Sequence, residues 1–171
     1  MTLFVQNDAT GAGAGGVDAQ QAAVDLGVAT NGDTGLGLAA QIGDRQQVTY
    51  ARTDPGLPAI RVDALVNTNF NLNPQGVDIV IIPVLANFTL NDGRSILTIG
   101  GTALPPSGSP LPGSTLNNTN SCLVIYDTTQ NNGTGWCTAR AGTNGTLDLP
   151  ISNPVILFHE LSHAFRIATN A

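Results

Sequence analysis

The segment that most constrains the fold is residues 77–84, whose sequence VDIVIIPV is almost entirely apolar and rich in β-branched residues. A short apolar run of this composition predicts a strand that is buried on both faces. Because Pro83 cannot donate a hydrogen bond to a neighbouring strand, it predicts that this strand ends at an edge or a bulge. This run is the clearest strand signal in the chain.

A second signal lies near the C-terminus, where residues 154–169, PVILFHELSHAFRIAT, contain no helix breaker after the first position. Ser152 or Asn153 can cap a helix here, and Pro154 suits its first turn because the missing N–H would have no helical partner. Apolar residues lie on nearly all sides of this helix, which predicts a helix buried in the core. The chain is therefore expected to be α+β, with a β-rich N-terminal part that contains hairpins and packs against the buried C-terminal helix.

Weaker patterns complete this expectation. Residues 17–28 predict a short helix and residues 47–52 a strand. The Asn-Asp-Gly sequence at 91–93 predicts the turn of a β-hairpin. The glycine-rich start, residues 1–16, is expected to be a flexible tail or loop. The length fits a single domain over residues 1–171.

Charge excludes two classes of partner. The chain has a formal net charge of −6, contains no lysine, and carries its 6 arginines at scattered positions. Nucleic-acid binding requires clustered basic residues, so no nucleic-acid partner is expected. No apolar stretch reaches the length of a membrane span, and no basic run would attract an anionic membrane surface. The lysine-free composition, rich in Asn and Thr, resembles that of secreted bacterial proteins, so an extracellular location is expected.

The two cysteines, Cys122 and Cys137, flank a segment that resembles a strand, an Asn/Gly turn and a returning strand. Such a hairpin could place the two sulfur atoms opposite each other and allow a disulfide, which would suit an oxidising compartment. Two reduced and buried thiols are the equal alternative. Two cysteines alone do not decide between them.

The residues that carry chemistry lie on the predicted C-terminal helix. His159, Glu160 and His163 form an H-E-x-x-H pattern and are the only histidines and the only glutamate in the chain. Scattered at random, these residues would form the pattern on the order of once in ten thousand arrangements. Both histidines lie on one face of a helix and can bind one zinc ion (Zn2+), which leaves positions for a third ligand and a water. Glu160 can take a proton from that water.

The HELSHA sequence and its helical setting resemble the active helix of the zincin metallopeptidases, over residues 154–169. The resemblance implies that His159 and His163 bind zinc and that Glu160 is the general base in the hydrolysis of peptide bonds. A peptide or protein would then be the substrate.

The third zinc ligand is not evident. A metzincin has a glycine three residues after the second histidine and another histidine three residues further on, where this chain has Arg166 and Thr169. Other zincins take Glu or Asp from a downstream segment, whereas this chain ends at Ala171. The expectation is therefore a chain truncated or processed after the active helix, with the third ligand on a missing C-terminal segment or a companion chain, unless an upstream residue supplies it.

Two alternatives remain open. Residues 35–41, GLGLAAQ, resemble the glycine-rich element of peptide deformylases, and Cys137 would then be a thiolate ligand that cannot form a disulfide. In that family an aspartate stands where this chain has Ser162. The other alternative is a non-catalytic, metal-stabilised binding module.

Four further residues are secondary candidates. Tyr50 or Tyr126 could donate a hydrogen bond to a developing oxyanion, although packing is the commoner role of such a tyrosine. Asp148 could support a ligand histidine. Arg166 is expected to be a charge near the helix C-terminus rather than a substrate clamp.

Overall fold

A computed structural model describes residues 2–7, 19–67, 76–85, 89–107, 119–128, 137–141 and 147–169. Strand β4 (Asp78–Val84) lies inside a six-stranded sheet, and every residue after Asp78 is buried, as its apolar sequence predicts. Pro83 does not mark an edge strand, because β4 has neighbours on both sides. The pairing of β4 with β1 ends at Ile81, before Pro83. The missing N–H of Pro83 therefore removes no hydrogen bond between these two strands.

The described residues form an α+β fold. The strands before and after β4 are β1 (Leu3–Gln6), β2 (Leu36–Leu38), β3 (Arg45–Tyr50), β5 (Gly101–Leu104), β6 (Ser121–Asp127), β7 (Cys137–Ala141) and β8 (Leu147–Ile151). The helices are α1 (Ala19–Ala29), α2 (Leu57–Asn67), α3 (Ile96–Ile99) and α4 (Asn153–Thr169). None of these described helices is long and apolar enough to cross a membrane.

The six-stranded sheet has the order β2-β3-β1-β4-β6-β5. Strands β1, β4 and β6 are parallel, whereas β3 and β5 run antiparallel to their neighbours. Strands β7 and β8 pair with each other in a separate two-stranded sheet. Among the described strands, β5 is therefore the edge of the main sheet on the side of β6.

Alternating residues of β4 enter two hydrophobic clusters, which explains why its sequence is apolar throughout. Ile79 and Ile81 lie in the larger cluster, beneath α1 and α4. Val80 and Ile82 lie in a second cluster on the opposite face, with Ile96 of α3. A strand with packing on both faces needs no polar positions.

Helix α4 covers the β5–β6 side of the sheet, but its expected all-round burial is not confirmed. Its buried residues form one face and comprise Asn153, Ile156, Leu157, Leu161, Ala164 and Ala168. Val155, His159, His163 and Arg166 are exposed. The helix is one-sided because it packs on one face of the sheet, and no described element covers its outer side.

Other expectations hold in part. The helix expected at 17–28 is confirmed as α1, and the strand at 47–52 is confirmed with a shift as β3. The turn at 91–93 forms, with a bridge between Thr89 and Ser95, but α3 follows it instead of the second hairpin strand. The apolar residues after the turn cover the sheet rather than extend it.

Two further expectations are wrong. Residues 3–6 were expected in a flexible tail, but they form β1 in the sheet interior, while residues 8–16 lie outside the described part. The hairpin joining Cys122 to Cys137 does not form, because β6 pairs with β4 and β5 whereas β7 pairs with β8. Cys122 is free and buried, so no disulfide joins the two cysteines.

Candidate metal centre

The two histidines of the motif converge on the exposed side of α4. Their Nε2 atoms lie 3.0 Å apart, and the ring centroids are separated by 4.6 Å with planes at 81°. This arrangement follows from the helix, because residues four positions apart lie one above the other on the same face. Both rings therefore present a nitrogen to the same point in solvent.

The separation of the nitrogens fits a shared zinc ion. Two imidazole nitrogens that bind one tetrahedral zinc at 2.0–2.1 Å lie roughly 3.3 Å apart. The observed 3.0 Å is close to this value and is also a hydrogen-bond distance, so the pair suits either an ion or a shared proton. Among the residues that the structure describes, no group of three or more His, Cys, Asp or Glu side chains could hold a metal.

Glu160 lies on the side of α4 that faces strand β5 and is partly buried. Its Cγ lies close to Gly101, and the Ala103 backbone N–H lies near enough to its carboxylate to favour the charged form. Burial raises the pKa of the Glu160 carboxyl above its usual value, while His159, His163, the Ala103 N–H and Arg94 oppose that rise. A raised pKa makes the carboxylate a better proton acceptor near neutral pH.

The edge position of β5 explains why the Ala103 N–H is available to Glu160. Backbone groups of successive residues in an antiparallel strand point alternately toward the partner strand and away from it. The Gly100 carbonyl accepts a hydrogen bond from Asp127 N at 2.8 Å, so the residues that face β6 are Gly100 and every second residue after it. Ala103 consequently turns its N–H away from β6, at the open edge of β5.

Sequence reasoning missed three residues around Glu160. Gly101 and Ala103 belong to a short strand without a motif, and Arg94 was counted only as one of the scattered arginines. Arg94 lies in the turn before α3, pairs with Asp92 at 2.7 Å, and lowers the pKa of Glu160 through its charge. No local pattern links these residues to a helix more than fifty positions later, so only the tertiary structure reveals them.

The two tyrosine candidates have other partners. Tyr126 is fully buried and donates its hydroxyl hydrogen bond to Asp25 Oδ2 at 2.7 Å. Tyr50 donates to Asp33 Oδ2 at 2.9 Å. Each hydroxyl is therefore engaged with a carboxylate of the scaffold, and neither serves as an oxyanion donor in this arrangement.

The remaining candidates have different outcomes. Arg166 lies exposed in the last turn of α4, as expected for a charge near a helix C-terminus. The side chains of Asp148 and Cys137 lie outside the described part. Residues 35–41 include β2, which is the sheet edge opposite β5. That separation counts against the deformylase-like alternative, because residues 35–41 and helix α4 would both have to reach the same metal ion.

The chain matches no protein-family model, no curated protein and no solved structure.

Proposed function

We propose that this protein is a zinc-dependent metallopeptidase that hydrolyses peptide bonds, with Glu160 as the general base. One observation carries the proposal: the His159 and His163 Nε2 atoms lie 3.0 Å apart on the exposed side of α4, and the partly buried Glu160 follows His159 directly on the same helix. The likeness of α4 to the active helix of the zincins supports peptides as the substrate class.

Each residue has a distinct part in the proposed reaction. His159 and His163 would hold the zinc through their neutral imidazoles. When bound, zinc supplies Lewis acidity, which lowers the pKa of a water and polarises a carbonyl. Glu160 accepts a proton from the attacking water and returns it to the amine that leaves. The Ala103 N–H would help to orient the Glu160 carboxylate, whose charged form it favours.

A third ligand completes the proposed site. It would come from a residue outside the described ranges or from a companion chain, since a catalytic zinc site has three protein ligands and an open position. A zinc-bound structure of the full-length protein would identify it. A site held by His159 and His163 alone in that structure would contradict this part of the proposal.

The decisive experiment combines zinc content with one conservative substitution. Wild type should bind zinc and cleave peptides in a chelator-sensitive manner, and Glu160→Gln should lower kcat by about 10²–10⁴-fold while zinc remains bound. Asp63→Asn is the matched carboxylate-to-amide control, because Asp63 lies on α2 and pairs with Arg52. Full cleavage by Glu160→Gln would contradict the proposal. Zinc that raises the Tm of a protein that cleaves nothing would instead identify a metal-stabilised binding module.

We also propose that the protein is secreted, which its lysine-free composition supports. The mature chain should then appear in the culture medium of the source organism. Recovery from the cell pellet alone would contradict this proposal.

A further inference from the structure

Strand β5 approaches α4 most closely at Gly101. A Cβ atom at this position would lie 3.0 Å from Glu160 Cγ, 3.0 Å from Ile156 Cγ2 and 3.4 Å from the Ile125 carbonyl oxygen. Contacts of this length require a neighbour to move by a few tenths of an ångström, so a side chain at position 101 fits only if one of these atoms shifts. Glycine within a strand often marks such a close approach.

Space rather than backbone conformation requires this glycine. Gly100 has φ 75°, in the left-handed region, and ends α3. Gly101 is not among the glycines with positive φ. An alanine at position 101 would therefore fit the backbone of β5 and conflict only with the atoms that face it.

Glu160 is the neighbour that would yield. Ile156 is 6% exposed within the main core cluster, and the Ile125 oxygen belongs to the backbone of a fully buried strand. Close-packed core atoms resist displacement. The Glu160 side chain is flexible and only partly buried, so a methyl group at position 101 would push its Cγ, and with it the carboxylate, away from the Ala103 N–H.

We infer that Gly101 is a positioning residue, whose missing side chain lets Glu160 seat its carboxylate against the Ala103 N–H beside the two histidines. The inference rests on the proposed peptidase function for its catalytic consequence. Its structural part concerns only the contact between β5 and α4. The two parts can therefore be tested separately.

The structural test uses hydrogen exchange at the Ala103 amide in the metal-free protein. Gly101→Ala should accelerate this exchange by up to about tenfold, because the amide loses its carboxylate acceptor. Gly37→Ala is the matched control, since Gly37 lies in strand β2 and its Cβ would meet only the Thr49 hydroxyl, at 3.4 Å. Unchanged Ala103 exchange in folded Gly101→Ala overturns the inference.

The catalytic test follows in the zinc-loaded protein. Gly101→Ala should lower kcat by about 10–100-fold with KM and zinc affinity unchanged, because a misplaced general base affects the chemical step. In a Glu160→Gln background it should cause no further loss, since that variant no longer has the carboxylate that Gly101 positions. A further loss of equal size there overturns the positioning role. Wild type that cleaves no peptide, together with accelerated Ala103 exchange, supports the placement and overturns the peptidase.

A second variant covers the case in which Gly101→Ala fails to fold. Glu160→Ala removes the Cγ that the new methyl group would meet, so Gly101→Ala with Glu160→Ala should fold and have a higher Tm than Gly101→Ala alone. Absence of this recovery would show that Ile156 or the Ile125 backbone bears the conflict, and would overturn the inference.

Discussion

At the scale of single residues, two tyrosine–carboxylate pairs anchor the fold in different ways. Asp25 is 2% exposed and accepts hydrogen bonds from Tyr126 and from Gln21 Nε2. Asp33 accepts hydrogen bonds from Tyr50 and, in addition, from Gly35, Thr53 and Asp54. The first pair joins α1 to β6 through two fully packed side chains. The second pair belongs to a cluster in which several donors share one carboxylate.

This difference predicts unequal costs for the same substitution. Tyr126→Phe should lower the free energy of unfolding by about 1.5–3 kcal/mol, because the hydrogen bond that it removes joins a 0% exposed tyrosine to a 2% exposed carboxylate. Tyr50→Phe should cost only about 0.5–1.5 kcal/mol, because Asp33 keeps its backbone and Thr53 donors. Urea unfolding of both variants measures the difference. Equal losses would contradict this account of the two carboxylates.

Burial also determines the state of Cys122. Desolvation raises the pKa of its thiol to about 12, so the sulfur is protonated and shielded at neutral pH. A thiol in this state packs as a small apolar group. The buried-thiol alternative for this cysteine therefore prevails over a disulfide.

At the scale of elements, α4 combines a buried face with an exposed site. Leu161 is fully buried, whereas Val155 is 56% exposed on the outer side. Leu161→Ala should cost about 2–5 kcal/mol of unfolding free energy through the cavity it creates. Val155→Ala should change it by less than about 0.5 kcal/mol. Denaturant midpoints check both values. A large loss of stability in Val155→Ala would contradict the one-sided burial of α4 and support the all-round burial that the apolar pattern predicts.

Local patterns predicted the elements whose signal lies within their own residues. Strand β4 has an apolar run, and α4 has a proline in its first turn and no later breaker. Strands β1 and β5 are short and gain their stability from pairing with β4 and β6, so their own residues carried little signal. The turn at 91–93 was identified because Asn-Asp-Gly favours that backbone, but its flanks depend on the packing of Ile96.

The candidate site also contains residues that the sequence alone identifies and residues that only the tertiary structure identifies. His159, Glu160 and His163 are neighbours on one helix, so the sequence alone brings them together. Gly101 and Ala103 reach Glu160 only because α4 packs on the edge strand. A contact between distant segments leaves no periodicity in either, and one sequence therefore cannot reveal it.

At the scale of the whole molecule, Asp33 links several parts of the chain. It binds the turn before β2, the end of β3 through Tyr50, and the segment that leads into α2. Hydrogen bonds from Asp54, Gly35 and Thr53 lower the pKa of its carboxyl well below the usual value, against an opposing effect of desolvation. The folded state therefore binds a proton at this group more weakly than the unfolded state does.

The sign of the pH dependence follows from that difference. Asp33 stabilises the fold above its unfolded pKa, about 3.9, and this contribution is lost as the pH falls toward the lower folded pKa. Asp33→Asn should lower the urea midpoint by a constant amount from pH 7 to about pH 5, and the gap to wild type should shrink below about pH 4. Asp63→Asn is the control, because the Asp63 carboxylate is more exposed and pairs with Arg52. A gap that stays constant down to pH 3 would show that the Asp33 cluster stabilises the protein independently of its charge.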